Sequence, residues 1–435
     1  MATTHGPGPK KPGPCHAQRI SPVLPFAPAT ILPLPHPRLH LSSLPDASPA
    51  DAWPTGFLHP VCTIRCDAQT LRTTAHVGQS FLRQWDDPLL ALDWMSHTFW
   101  PDKGRWIGFL SYDLGRIFEH LPDPPPDDLH LPLFVFTYCR PVPDRPGFPE
   151  PDHGRSDAPL ASNFTRHQYE SAVYRVIDYI RAGDVFQVNL SQRLSIGLRE
   201  HPSVIYQRLC KQTPALYGGY LAWDDFTLIS NSPELFLKID APDSTGRRRI
   251  ITRPIKGTRP RDLGMDQILR QSAKDQAELN MIVDLLRNDL GRICEIGSVK
   301  VEELPTVETH ATVYHGVATI AGSLRPDTSL VDLLGAVFPG GSITGAPKIR
   351  AMQIIDELEP IRRGPYTGAI GYIARDGSMQ FNIAIRTMII ANAMVHIPIG
   401  AGIVADSVPA EEYAETLLKA RALLAALNLP NPQFP

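Results

Sequence analysis

From Asp184 to Ile196 the even positions Phe186, Val188, Leu190, Leu194 and Ile196 are apolar, while Gln187, Asn189, Ser191, Arg193 and Ser195 alternate with them. A period of two is that of a β-strand, so one face is committed to packing and the other offers amides and hydroxyls. The fold must therefore supply an apolar layer on one side of this strand and partners for polar groups on the other.

The neighbouring segments change period. Val173, Val176, Ile177 and Ile180 recur at helical spacing, with Asn163 as a cap and Gly183 as a stop. Gly219 to Leu237 reads as strands about an Asp224-Asp225 turn, Arg249 to Lys256 as another strand, and Asp266 to Asn288 as one long helix. Met388 to Ala405 is long and apolar, but Asn392, His396, Pro398 and two glycines interrupt it, which fits consecutive buried strands better than a membrane span. Strands grouped apart from long helices, without an internal repeat, indicate an α+β fold.

Of the 44 prolines, 14 fall in residues 1–60, and the first twenty residues read as a disordered tail without chemistry. A second proline-rich stretch, Pro122 to Pro159, divides an N-terminal region (21–150) from a C-terminal region (163–427). The net charge of −3 without a long basic run gives no pull toward nucleic acid or an anionic membrane, so the expected ligand is a small molecule. Six scattered cysteines suit neither a disulfide framework nor a zinc site, and with no signal peptide the expected compartment is the cytoplasm.

Several segments carry candidate chemistry. Asp275, Glu278, Ile282 and Leu285 fall within an arc of about 80° on the long helix, which puts two acids on its apolar face. Glu412 and Glu415 repeat the spacing at the flank of the C-terminal helix. Each pair serves equally as a solvated face, but together they offer the hard oxygens of a Mg²⁺ site with room for water and a substrate carboxylate. FPGGSITGAPKIRAM sets a glycine-rich loop before a helix with Pro347 in its first turn, an arrangement suited to an anion and reinforced by Lys348, or else simple turn punctuation. IGAGIVADS lets backbone approach a ligand, or packs strands tightly. Arg386, alone among apolar residues, needs a carboxylate. Lys256 in RPIKGT is a surface residue or, if desolvated, a nucleophile.

Taken together, DVFQVNLSQR, NSPELFL, RPIKGT, SAKDQAELNMIVDLLRNDLGRIC, FPGGSITGAPKIRAMQIIDELEP, GAIGY, NIAIRT and GAGIVADSVPAEEYAET resemble the chorismate-utilising family of anthranilate, aminodeoxychorismate, isochorismate and salicylate synthases. The resemblance is dense over residues 163–424 and thin in the N-terminal third, which lacks the family's LLES-like and RYS-type segments. It implies two large antiparallel sheets packed face to face with helices outside, an α/β/β/α sandwich with the site between the layers.

The same resemblance implies a site. Glu278 and Glu415 would hold Mg²⁺ with Glu412 and Asp275, while Lys256 acts as nucleophile and Glu234 of SPE as acid. His315, Ser342, Thr344, Lys348, Tyr372, Arg386, Gly400, Ala401 and Gly402 match substrate-contact positions. Water-using members resemble one another in having lysine where this chain has Gln187, and anthranilate synthases have PIAGT where it has PIKGT. Gln187 thus points to the ammonia-using branches, and among these Lys256 favours the aminodeoxychorismate branch, in which chorismate is aminated at ring carbon 4. Without a G-x-C-x-G glutaminase motif, nitrogen is expected as free ammonia or from a separate glutamine amidotransferase subunit. No lyase segment follows the C-terminal helix, so the expected product is 4-amino-4-deoxychorismate. The competing readings are an anthranilate synthase component I and a non-catalytic paralogue that binds the glutaminase.

Overall fold

The alternating run forms the strand Gln187–Gly197, with Val188, Leu190 and Leu194 fully buried, and it begins one residue after Phe186, which is instead exposed. The computed structural model describes residues 37–43, 53, 57–142, 153–309 and 313–429, so the expected N-terminal tail lies outside the described residues. Helix ends follow local capping chemistry. The helix expected from Asn163 starts at Arg166, where Thr165 and Gln168 form a reciprocal capping box, while Asn163 accepts from the Arg193 backbone N–H instead. The single long helix expected from Asp266 to Asn288 is two, Met265–Gln271 and Ala273–Gly291. Ser272 breaks it because its hydroxyl accepts from Asp275 N and caps the second helix.

Among the described residues the strands form two antiparallel sheets. The smaller runs Arg38–Ser42, Tyr217–Ala222, Phe226–Ser232, Thr387–Ala391, Met394–Ile403, Gln187–Gly197 and Gly345–Ala346, with Ala161–Ser162 also on Gln187–Gly197. Thr387–Ala391 and Met394–Ile403 are the buried strands expected from Met388 to Ala405. The larger sheet joins early and late parts of the chain, since Arg105–Leu110 pairs with Ala369–Ala374. Among the described residues no helix is long and apolar enough to cross a membrane.

Alternation then builds the layers. Leu41, Leu221, Leu228 and Ile389 of the smaller sheet meet Ile107, Phe109, Val135 and Ile370 of the larger in one apolar layer. On the outer side of the smaller sheet, Pro202–Gln212 and Pro409–Ala426 contribute Ile205, Leu209, Leu423 and Leu424, while Arg166–Arg181 and Lys348–Leu358 contribute Val173, Ile177 and Ile355. The outer side of the larger sheet packs on Leu92 of Pro88–His97, Ile282 and Leu286 of Ala273–Gly291, and Leu334 of Leu330–Val337. This is the α+β sandwich expected from the sequence.

The chain changes sheets twice at one place. Phe226–Ser232 in the smaller sheet leads through Pro233-Glu234 into Leu235–Ile239 of the larger. Met379–Ile383 in the larger sheet leads through residues 384–386 into Thr387–Ala391 of the smaller. The crossings are bonded side by side: Ile383 N donates to Glu234 O at 3.0 Å and Asn231 N to Arg386 O at 3.0 Å. Ser232 Oγ adds a bond to Ile383 O at 2.7 Å.

If the intersheet layer holds the sandwich together, Leu228→Ala should lower unfolding free energy by about 2–5 kcal/mol in urea melts, by lost transfer energy and a residual cavity. A loss under about 1 kcal/mol would contradict that packing.

Candidate active site

Glu234 occupies the first crossing, buried to 5% exposure. Ser342 Oγ donates to its Oε1 at 2.6 Å. Burial lifts the Glu234 carboxyl to about 7, opposed by the Ser342 hydrogen bond and by the Lys256 ammonium, with a lesser contribution from Lys419.

Lys256 lies on the edge strand Ile255–Pro260, whose register against Val313–Ser323 slips between Lys256 and Thr258. Gly257, at φ +75°, takes the left-handed turn this bulge needs. Burial pushes the Lys256 amine below its ordinary value, while Glu278, Glu234 and Glu415 pull the other way and Lys419 adds to the fall. A methyl on Gly402 would stand 3.4 Å from Lys256 Nζ and 2.4 Å from Gln187 Nε2, so this glycine makes room for the protein's own side chains. Gln187 is 1% exposed, and among the described residues its Oε1 has no hydrogen-bond partner.

The acids come from two helices. Desolvation raises Glu278 on Ala273–Gly291, with Asp275 and Glu415 adding to the rise and Lys256 and Lys274 opposing it. Glu412 rises for the same first reason, although Ser407 Oγ donates to it at 2.6 Å. For Glu415, burial is outweighed by Lys419, Lys256 and Lys274, and its carboxyl falls below the ordinary value. Asp275 is paired with Arg259 at 2.7 Å while still adding to the rise of Glu278. Among the described residues no three His, Cys, Asp or Glu side chains form a preformed metal cluster. Glu278 and Glu415 nonetheless repel one another across a desolvated space, and hard oxygen donors held in that way suit a divalent cation whose remaining ligands are water and substrate.

Other expected positions are placed as follows. Arg386, at φ +50° in the second crossing, is half-buried and donates to Lys419 O at 2.9 Å. His315 Nδ1 lies 2.9 Å from Thr258 Oγ1. Thr344 Oγ1 is turned into its own loop, onto Gly340 O and Gly341 O at 3.1 and 3.3 Å. Pro347 is the cap residue of Lys348–Leu358 rather than part of its first turn. Lys348 does not face an anion site: its Nζ binds Asp289 at 2.6 Å and Val337 O at 3.2 Å, both ends of the pair being buried. Gly400 to Gly402 lie along Met394–Ile403, with Gly400 O accepting from Lys419 Nζ at 2.9 Å.

Tyr372 stands apart, its ring under Arg105 at 5.3 Å. The tyrosine beside Arg386 is Tyr366, whose hydroxyl would lie 3.0 Å from a methyl on Gly400. Sequence reading also passed over Lys419, which binds Glu415 at 2.7 Å. Its i,i+4 spacing from Glu415 was the available signal.

Residues 142–425 match the family profile described as chorismate binding enzyme. Anthranilate synthase component 1 of Thermus thermophilus is 42% identical over 372 residues, 76% of this chain and 78% of that protein. Aminodeoxychorismate synthase component 1 of Bacillus subtilis is 37% identical over 428 residues, 86% of this chain and 88% of that one. The crystal structure of anthranilate synthase component I from Streptococcus pneumoniae is 30% identical, with a TM-score of 0.72 over 94% of this chain and all of that one.

Since Lys348 closes a buried ion pair, Lys348→Met should cost about 3–5 kcal/mol of stability by stranding the Asp289 carboxylate. Adding Asp289→Leu should recover much of that loss. An unchanged denaturation midpoint in Lys348→Met, with a raised KM, would instead return the lysine to substrate binding.

Proposed function

The chain belongs to the chorismate binding enzyme family, and on that premise we propose that it aminates chorismate at ring carbon 4, with Lys256 as covalent nucleophile and Glu234 as general acid. The observation that carries this reading is Lys256 itself: an amine depressed by burial, facing Glu234, in the motif position where anthranilate synthases have alanine.

The neutral Lys256 amine forms a bond to ring carbon 2, the double bonds shift, and the carbon 4–oxygen bond breaks. Glu234 gives its proton to the departing hydroxyl, which leaves as water. Ammonia then bonds to carbon 4, the double bonds shift back, and the Lys256 amine is expelled. The proton shed by the new ammonium returns the acid to its starting state. Gln187 Oε1, buried without a partner, is an acceptor for an ammonia N–H and has no basicity with which to activate water. Arg386 and Tyr366 provide a half-buried cation and a hydroxyl for the enolpyruvyl carboxylate.

Glu278 and Glu415 would hold Mg²⁺, with Glu412 behind them, and the ion would supply positive charge to bind the ring carboxylate. A separate glutamine amidotransferase subunit would deliver the ammonia.

Chorismate, Mg²⁺ and ammonium should give 4-amino-4-deoxychorismate, identified by mass, with turnover abolished by a chelator and sharply reduced in Glu278→Gln and Glu415→Gln. Lys256→Ala should nearly lose amination at carbon 4, and withholding ammonia should leave a mass adduct on the Lys256 peptide. Anthranilate from the parent enzyme would favour the anthranilate synthase reading; no adduct and a parental rate in Lys256→Ala would end the covalent mechanism.

The acid also sets a pH dependence. Because the Glu234 carboxyl is raised to about 7, its proton is present below that pH and lost as pH rises through it, so kcat/KM should fall on the alkaline side near 7. Ser342 lowers this value by hydrogen bonding to the carboxylate, so Ser342→Ala should move the alkaline limb to higher pH. A limb that stays in place would remove Glu234 from the acid's role.

A further inference from the structure

The strand that carries Gln187 lacks a continuous partner on its outer edge. Gly345–Ala346 pairs with Val188 and Gln187, and Thr344 O accepts from Asn189 N at 2.8 Å. Farther along, Asn163 brackets Arg193, and Ala161–Ser162 pairs with Ser195 and Leu194. Between these two pieces the Asn189 carbonyl and the Ser191 N–H meet side chains. Arg363 Nη2 donates to Asn189 O at 2.7 Å, and Ser191 N donates to Glu359 Oε1 at 2.8 Å. An ion pair thus stands in for the missing rungs of the ladder.

The same guanidinium reaches a second carbonyl. Arg363 Nη1 donates to Ile343 O at 3.0 Å and to Thr367 Oγ1 at 3.3 Å. Its Nε and Nη2 bind Glu359 at 2.9 and 2.6 Å, so all five of its N–H groups are engaged. The ring of Tyr112 lies 4.7 Å from Cζ, and the arginine is 6% exposed. Ile343 sits between Ser342, which binds Glu234, and Thr344, which binds Asn189 N.

Stability alone is a weak reason for this arrangement, because a buried ion pair is often matched or bettered by apolar residues of the same volume. A planar fork is needed where separated acceptors must be held at fixed distances.

We propose that Arg363, oriented by Glu359, is a positioning residue: one guanidinium registers the Gln187-bearing strand against the loop that presents Ser342 to Glu234. The inference rests on the reading of Glu234 as the general acid. The groups facing that carboxyl are Ser342, Lys256, the Ile255 backbone N–H and Lys419, and Arg363 hydrogen-bonds to none of them.

Arg363→Lys keeps a positive charge beside Glu359 but removes the fork that spans the two carbonyls. The experiment records chorismate consumption against pH for the parent, Ser342→Ala, Arg363→Lys and the double variant. With one charge-assisted hydrogen bond lost, both single variants should carry the alkaline limb upward by about one to two pH units. The double variant should shift no farther than Ser342→Ala alone. A purely structural arginine would lower the yield of folded enzyme and leave the limb in place, and that outcome, or additive shifts in the double variant, overturns the inference. Should Arg363→Lys fail to fold, the same profiles are recorded with Arg363→Gln and Glu359→Gln combined, which strands no buried charge. A limb unmoved in Ser342→Ala overturns the Glu234 reading and this inference with it; a limb moved there but not in Arg363→Lys overturns this inference alone.

Discussion

Two chain crossings, bonded to each other, hold the two sheets in register where the candidate chemistry lies. Ile383 N–H to Glu234 O and Asn231 N–H to Arg386 O join segments that each leave one sheet for the other. A strand that changes layers cannot keep its ladder, so backbone polar groups at the crossing need nearby substitutes. Here each crossing satisfies the other. The backbone positions of the acid and the arginine are therefore fixed by the paired crossings. Burial of Glu234, and with it the rise of its carboxyl to about 7, follows from that placement.

Charge keeps the site assembled without a ligand. Lys256, Lys274 and Lys419 stand among Glu234, Glu278, Glu412 and Glu415, and for Lys256 and the four acids desolvation is the first influence on titration and the neighbouring charges the next. Glu415 alone among the four acids falls below its ordinary value, because Lys419 both bonds to it and lies close by. The lysines offset repulsion that would otherwise spread the two helices that carry the acids.

Much of this was legible in the sequence, wherever period or local chemistry decides the outcome. The period-two run gave a strand whose polar face includes Gln187, and the interrupted Met388 to Ala405 segment gave two buried strands. Misreadings came where a side chain had a partner distant in sequence. Asp275 shares a helix face with Glu278, but Arg259 claims it. Lys348 follows a glycine-rich loop, but Asp289, on another helix, claims it. Tyr372 and Tyr366 are both near Arg386 in sequence, and only sheet pairing decides which is beside it in space: Tyr372 is drawn into the larger sheet against Ile107, while Tyr366 precedes that strand. Periodicity likewise cannot see the role of Ser272, because a helix broken by a cap keeps nearly the same hydrophobic spacing on either side.

The unpartnered oxygen of Gln187 ties these points to chemistry. A buried acceptor without a donor costs about 1–3 kcal/mol, and proteins seldom leave one in place. Gln187 is held there by a strand that pairs with Ala346 at that position, and a side chain at position 402 would collide with its amide. On the proposed reading, the site tolerates that cost because the missing donor is a reactant. An amide accepts a hydrogen bond without taking the proton, so it can hold ammonia, which is nucleophilic as it stands, yet cannot generate hydroxide from water. Next to an amine whose affinity for a proton is lowered by burial, this makes the choice of nucleophile depend on the absence of a base at position 187.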